Sequence, residues 1–165
     1  MRKYLLAGVC LAAVAGCMQT IVETKTPFDP SQGRYVLASG SGAIEGQAFM
    51  RQAGGGVVTC AGEEVTLFPA TAYQQERMQI IYGSTDGGSR TTGIGNFPPD
   101  RDPRAEPLQR TTTCDAEGDF EFRGLAAGDY YVATKVVWMA QYVQGGLLAK
   151  RVRLNPGQKV RVLLN

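Results

Sequence analysis

The chain of 165 residues contains no histidine. Histidine is the usual general base of serine and cysteine hydrolases, and it is the commonest ligand for transition metals. Its absence excludes Ser-His-Asp and Cys-His catalysis and removes the commonest protein ligand of zinc, copper and iron. The serines also lack a G-x-S-x-G nucleophile elbow. The sequence therefore predicts a non-catalytic protein with no metal site and no cofactor.

Neither sign of charge is in excess. The chain carries 17 Lys+Arg and 15 Asp+Glu, and cleavage after residue 16 would remove Arg2 and Lys3 and leave 15 of each sign. Nucleic acids and anionic membranes are bound by basic stripes, which a neutral chain of this kind does not offer. We expect no nucleic-acid partner.

Long apolar runs are also lacking, apart from a short one near the N-terminus. Arg2 and Lys3 precede the apolar residues 5–14, and Ala15 and Gly16 are small residues before a cleavage point. This is the three-part pattern of a bacterial export signal. The run is too short for a membrane-spanning helix, which needs about 20 apolar residues. Residues 1–16 are therefore interpreted as a cleaved signal peptide.

Cys17 directly follows the small residues, and the stretch 14–17 (VAGC) resembles the lipobox of bacterial lipoproteins. The resemblance implies that the thiol receives a diacylglycerol, that cleavage precedes Cys17 and that the new amine is acylated. Several acyl chains give stable anchoring where one would be marginal. The alternative is an ordinary signal whose cysteine is coincidental. Cys10 fits less well, because the bulky Val9 occupies the small-residue position.

Met18, rather than aspartate, follows the anchor. The resemblance to enteric lipoproteins then implies the outer membrane, with the protein facing the periplasm. Inner-membrane or cell-surface placement stays open, because the sorting rule differs between bacteria.

Cysteine is scarce, with four residues in the whole chain. Cys10 leaves with the signal and Cys17 is the anchor, so Cys60 and Cys114 remain as an even pair in an exported protein, where disulfides persist. We predict that they form a disulfide bond; two free thiols are the alternative. Two sulfurs without a nearby third ligand cannot complete a zinc shell.

The chain divides into three parts by composition. After the signal, residues 17–41 are the lipidated N-terminus and a Thr-, Pro-, Ser- and Gly-rich stretch that is typical of a flexible tether. Residues 34–38 could instead form an edge strand. Residues 42–165 are interpreted as a single folded domain of a size that buries one core.

Short apolar runs separated by Gly, Asp and Pro predict an all-β domain from residue 42 onward. About seven strands suit a two-sheet β-sandwich. They are predicted at residues 43–49, 57–60, 65–68, 120–122, 130–139, 147–154 and 160–164.

Two segments depart from this pattern. Thr71 and Gln74 resemble a capping box that opens one short helix through Met78. Residues 83–110 are long, polar and rich in Gly, Pro and Arg. Loops of that length are usually functional or disordered. We expect this one to be disordered or loosely packed.

The stretch 115–130 (DAEGDFEFRGLAAGDY) resembles the D-x-x-G-x-F-x-F-x-x-L-x-x-G-x-Y signature of carboxypeptidase regulatory-like domains. Residues 43–48 (AIEGQA) and 62–69 (GEEVTLFP) resemble two earlier strands of that family. The resemblance covers residues 42–165 and implies a prealbumin-like sandwich. Such domains are non-catalytic, and Phe120, Phe122 and Tyr130 would be core residues.

Candidate binding residues are few. Asp115, Glu117 and Asp119 could ligate calcium, although a solvated turn before a strand accounts for them more simply. Arg101, Arg104 and Arg110 could meet an anionic glycan or an acidic partner, or could merely keep an exposed loop soluble.

The sequence as a whole predicts a lipid-anchored envelope protein with a binding or scaffold role and an envelope protein as partner. One alternative is a module that binds carbohydrate or peptidoglycan, which would require Tyr73, Tyr82, Trp138 and Tyr142 to lie exposed on one face. A second alternative is an assembly factor of the pilotin kind from a secretion system.

Overall fold

The computed structural model describes residues 19–91, 93 and 95–165. The predicted signal peptide and Cys17 lie outside these residues. Eleven strands are present in the described part: β1 (Gln19–Ile21), β2 (Ser39–Arg51), β3 (Val57–Thr59), β4 (Glu64–Pro69), β5 (Gly87–Thr91), β6 (Gly95–Phe97), β7 (Arg110–Thr113), β8 (Asp119–Leu125), β9 (Gly128–Met139), β10 (Val143–Leu154) and β11 (Lys159–Leu164). The same residues contain one α-helix, α1 (Ala72–Tyr82), and two 3-10 helices, Pro30–Leu37 and Pro103–Ala105.

Nine of the eleven strands form two packed sheets, which confirms the predicted all-β sandwich, and β1 and β6 form a separate two-stranded parallel sheet. One sheet has the order β5-β10-β9-β4-β7; in the other, β2 pairs with β11, β3 and β8. The core between them is built from alternate residues of the long strands, since strand side chains point to opposite faces in turn. Ile44, Leu67, Val132 and Leu148 are fully buried there.

The disulfide between Cys60 and Cys114 is present, as predicted. Cys60 follows β3 in one sheet and Cys114 follows β7 in the other. Both residues are buried in the main core. The bond therefore ties the two sheets together, and its two Cα atoms lie 5.7 Å apart.

The stretch 115–130 provides β8 and the short connection that crosses from β8 in one sheet to β9 in the other. Gly118 has φ +82°, and a side chain there would meet the Ala48 carbonyl oxygen at 2.8 Å. Phe120 and Phe122 are buried in the core, and the Tyr130 hydroxyl donates to the Ala126 carbonyl at 2.7 Å. These aromatic residues have the structural role that was expected of them.

The predicted helix is present and runs further than expected, to Tyr82. Its N-cap is Thr71, whose hydroxyl accepts from the Gln74 amide at 3.4 Å, and it ends at Gly83, which adopts φ +72°. The helix covers the outer face of the five-stranded sheet, where Met78 is buried together with Tyr131 and Ala149. No helix in the described ranges is long and apolar enough to cross a membrane.

Residues 19–41, which were expected to form a tether, differ from that expectation. The Glu76 carboxylate accepts from the Lys25 and Thr26 amides at 2.8 and 2.7 Å, and the hydrogen bonds from Thr26 lower the pKa of Glu76. Val36 is fully buried in the core. The Tyr35 hydroxyl donates to the Asp129 carbonyl. These contacts join residues that are far apart in the sequence, and they pack residues 25–36 onto the domain. Composition alone does not reveal contacts of this kind.

The described residues of the segment 83–110 are ordered as well, which corrects the expectation of disorder or loose packing there. Its first part is β5, an edge strand paired with β10. The stretch after β6 runs alongside α1 toward the first turn of the helix. Arg77 donates to the Pro99 carbonyl at 2.7 Å, and the Asp102 amide donates to the Tyr73 hydroxyl at 3.0 Å. Leu108 is buried in the main core. Backbone pairing and a single buried leucine hold a segment that is otherwise polar.

Candidate functional site

A polar cleft opens where β8 meets β7. Its volume is about 350 Å³, within the range of pockets that hold small ligands. It is lined by Glu45, Gly46, Thr112, Thr113, Asp115, Asp119, Phe120, Glu121 and Arg161. These residues come from β2, β7, β8 and β11 and from the turn before β8, so the cleft exists only in the folded sandwich. We call it the polar cleft.

Strand register places charged side chains of the cleft in one row. Arg161 of β11 lies beside Glu45 of β2, and Glu45 lies beside Glu121 of β8. Directly opposed residues on one face of a sheet bring their Cβ atoms to about 5 Å. The Arg161 guanidinium lies 3.9 Å from the Glu45 carboxylate and 3.3 Å from that of Asp119. The row offers acceptors and donors side by side at the surface.

Arg123 extends this pattern beyond the lining of the cleft. Its Nε lies 2.7 Å from the Glu121 carboxylate, and this contact raises the pKa of the Arg123 guanidinium. All the ion pairs of this face are solvent-exposed, where such a pair contributes only about 0–1 kcal/mol to stability. Their main consequence is the fixed orientation of side chains that could meet a polar ligand.

The floor of the cleft is rigid. Phe120 is buried beneath it, and a Cβ on Gly46 would lie 2.5 Å from the Phe120 ring and 2.6 Å from the Val162 carbonyl oxygen. Only glycine fits at position 46 without displacing the ring or the backbone. Because Phe120 faces the core, its ring is not a platform on which a ligand could stack.

Asp115 belongs to the turn that borders the cleft. Its carboxylate accepts from the Asp119 amide at 2.8 Å and from the Glu117 amide at 3.1 Å. These bonds are those of a turn that leads into a strand. Within the described ranges, no group of three or more Cys, Asp or Glu residues is arranged to hold a metal ion.

The four aromatic side chains considered for a glycan platform do not share one exposed face. Tyr73 is buried against Phe28, with ring centroids 5.3 Å apart. Tyr82, the last residue of α1, is half-buried. Trp138 is half-buried at the far end of β9, and Tyr142, in the turn that follows, is exposed. A flat aromatic platform of these four residues is therefore not formed.

The three loop arginines have different surroundings. Arg104 pairs with Asp102 at 2.7 Å and lowers the pKa of that carboxyl, and its guanidinium lies over the Phe28 ring. Arg110 donates to the carbonyls of Arg123 at 2.7 Å and of Gly124 at 3.4 Å, along the outer edge of β8. Arg101 is half-buried near Arg77. The structure does not bring the three together into one site.

The polar cleft itself was not foreseen, except for the acidic turn at its border. Its central pair, Arg161 and Glu45, depends on the parallel pairing of β11 with β2. Residues more than a hundred positions apart carry no local signal of that pairing. The predicted strand at residues 160–164 did not indicate which residues would lie beside Arg161.

The molecule is thus a disulfide-linked β-sandwich with an open polar cleft on one side. No family model matches the chain, and no curated protein matches it. Among solved structures, it is similar to the 2.61 Å crystal structure of a proposed carbohydrate binding protein from Pseudomonas aeruginosa. The similarity covers 84% of this chain and 97% of that chain, with a TM-score of 0.73 and 26% sequence identity.

Proposed function

We propose that this protein is a non-catalytic carbohydrate-binding module of the bacterial envelope, with the polar cleft as its binding site. The observation that carries the proposal is the similarity to the Pseudomonas aeruginosa protein, which extends over nearly its whole length. The resemblance to non-catalytic carboxypeptidase regulatory-like domains supports the same class. A scaffold role with an envelope protein as partner stays a prediction, and so does an assembly role of the pilotin kind.

The chemistry of the cleft supports a glycan as the ligand. Neighbouring sugar hydroxyls each donate and accept, so they pair with carboxylates and guanidinium groups that lie side by side. Arg161 and Asp119, 3.3 Å apart, offer such a pair, and Thr112 and Thr113 of β7 also line the cleft. The side chains are already oriented by their ion pairs, which lowers the entropy cost of binding.

The anchor is the second part of the proposal. Lipidation at Cys17 would hold the module at the outer membrane, facing the periplasm. A tethered module meets its ligand at a raised local concentration, so that a weak binding surface suffices. The disulfide between Cys60 and Cys114 is consistent with export, because such bonds persist in oxidising compartments.

A glycan array followed by calorimetry tests the proposal. The full chain should bind at least one class of oligosaccharide, and Arg161→Ala should weaken that binding at least tenfold, which corresponds to the loss of about 1.4 kcal/mol. Lys159→Ala is the matched control, because Lys159 is an exposed cation of the same strand that does not line the cleft. Equal loss in both variants, or no glycan bound at all, would contradict the proposal.

A further inference from the structure

The exposed apolar side chains of the domain are concentrated at two hairpin turns. Val57 begins β3 after the β2–β3 turn and is 53% exposed. The β9–β10 turn carries Met139, Tyr142 and Val143, which are 74%, 65% and 55% exposed. We call residues 51–57 and 139–143 the apolar tips. Apolar residues gathered in this way mark an interaction surface rather than the ordinary scatter of single side chains.

The two apolar tips project from the same end of the sandwich. The Met50 methyl group, at the end of β2, would be 3.1 Å from a Cβ placed on Gly146 of β10. Further along the strands than Met50 and Gly146, Arg51 pairs with Val57 in one hairpin and Met139 pairs with Val143 in the other. Trp138 lies at the base of the second tip, where its indole donates to Gln144 at 3.2 Å.

The two hairpins themselves carry no carboxylate, since residues 47–58 and 136–149 contain no Asp or Glu. Carboxylates lie in the neighbouring turns instead. Glu63 is paired with Lys135 at 3.2 Å, and the turn of Asp115 and Glu117 lies beside β3, where the Thr59 hydroxyl donates to the Ala116 carbonyl at 3.4 Å. The hairpins therefore add no charge of their own that would repel anionic headgroups.

The described chain begins on the side of the domain that carries the apolar tips. β5 runs from Gly87, opposite Lys150, to Thr91, opposite Gly146, and so it points toward the apolar tips. β6 starts four residues later at Gly95, which pairs with Gln19, the first residue of β1. In the sequence, only Met18 stands between the proposed lipidation site, Cys17, and Gln19.

We infer that the apolar tips dock on the lipid bilayer itself, so that the domain stands on the membrane in one orientation. The inference rests on the proposed lipidation of Cys17. The tips supply the apolar and aromatic side chains that settle at the headgroup level, where Tyr and Trp keep their polar atoms in water. A lipid anchor and an apolar contact act together as two binding signals. The polar cleft, on the β7–β8 side, then faces the periplasm beside the membrane.

The single tryptophan of the chain makes this orientation measurable. The lipidated full chain is placed in vesicles of phosphatidylethanolamine and phosphatidylglycerol that contain phospholipids brominated on the acyl chain. We expect quenching of Trp138 emission. The triple variant Met139→Ser, Tyr142→Ser, Val143→Ser should lose the quenching while it still sediments with the vesicles through its lipid. A control variant, Leu37→Ser with Leu163→Ser, changes two exposed apolar residues that do not belong to the tips and should keep the quenching.

A second variant makes the test independent of whether the triple variant folds. Trp138→Phe with Leu37→Trp moves the only indole to the first 3-10 helix, beside the opposite end of β9. Its emission should not be quenched. Unquenched Trp138 in the lipidated wild type, or equal quenching at position 37, would overturn the inferred orientation. The mass of the N-terminal peptide tests lipidation separately, so an absent lipid would refute the anchor and not the cleft.

Discussion

The polar cleft and the apolar tips belong to the same sandwich and share the strand β2, but they differ in almost every physical property. The cleft collects four carboxylates and Arg161, whereas residues 136–149 carry no charge at all. The cleft is bordered by a turn whose backbone is hydrogen-bonded to Asp115, and the disulfide lies directly before that turn. The β9–β10 tip has the exposed Met139 and Tyr142 instead. A rigid polar surface suits recognition, and an adaptable apolar one suits a fluid bilayer.

This difference shows how one sandwich can separate its tasks. The two sheets provide the common core, and their edges and ends are free to vary because they contribute little to it. The cleft lies at a side, where β7 and β8 are edge strands, and the tips lie at an end. Changes at one region should therefore leave the other almost unaffected, and the predictions below test that independence.

The largest effect is expected for Cys17→Ser. Without the thiol there is no site for the diacylglycerol, so fatty-acid labelling should disappear and the protein should leave the membrane fraction. Glycan affinity of the purified variant should stay unchanged, because the cleft lies elsewhere. Fractionation and labelling measure the first effect and calorimetry the second. A variant that stays fully membrane-bound would refute the anchor.

Loss of the disulfide should be the largest stability effect. Replacement of both Cys60 and Cys114 by alanine opens a loop of 54 residues, which in the chain-entropy model costs about 4 kcal/mol. The cleft should weaken as well, because Cys114 directly precedes its bordering turn. Denaturant unfolding measures the stability. Thiols that react with an alkylating agent in the native, unreduced protein would show that the bond does not form.

Gly46→Ala should act on the cleft alone. The added methyl group meets the Phe120 ring and the Val162 carbonyl, and overpacking of this kind costs about 1–3 kcal/mol. We expect weaker glycan binding and unchanged Trp138 quenching in vesicles. Gly54→Ala is the control, since nothing lies within 4 Å of a Cβ at that position. An equal loss of stability in both variants would contradict the packing described for the floor.

The last effect concerns the packed body of the domain, which supports both regions, and is expected only at alkaline pH. Burial raises the pKa of Tyr35, Tyr82 and Tyr131 from 10.0 to about 12. The unfolded chain then loses these protons first, so the stability of the neutral phenols is present below pH 10 and falls as the pH rises toward 12. Unfolding followed by circular dichroism across this window should show the loss. Constant stability from pH 9 to 12 would show that the phenols are not buried.

Much of the sandwich could be predicted from local pattern. The strands β9 and β10 alternate or are continuously apolar, and the helix is marked by Thr71 at its N-cap. By contrast, β5 is Gly87–Thr91, a glycine-rich segment that pairs through its backbone and shows no apolar alternation. Hydrogen bonds of this kind depend on an available edge strand, which no short stretch of sequence reveals.

The packing of the N-terminal segment and the geometry of the cleft could not be predicted from the sequence, for the same reason. Val36 is buried only because its short 3-10 helix meets β4 and β9, and Arg161 meets Glu45 only through a parallel strand pair. The disulfide was predictable because export and cysteine number are properties of the whole chain. Pairings between distant residues with no such global constraint needed the structure.

The most direct test of the account is a nuclear magnetic resonance titration of the domain with the oligosaccharide that binds best. The account predicts that amide shifts change around Gly46, Thr113, Asp119 and Arg161, and that those of residues 139–143 stay in place. Changes that concentrate instead at Trp138 and Tyr142 would contradict the assignment of the polar cleft as the carbohydrate site.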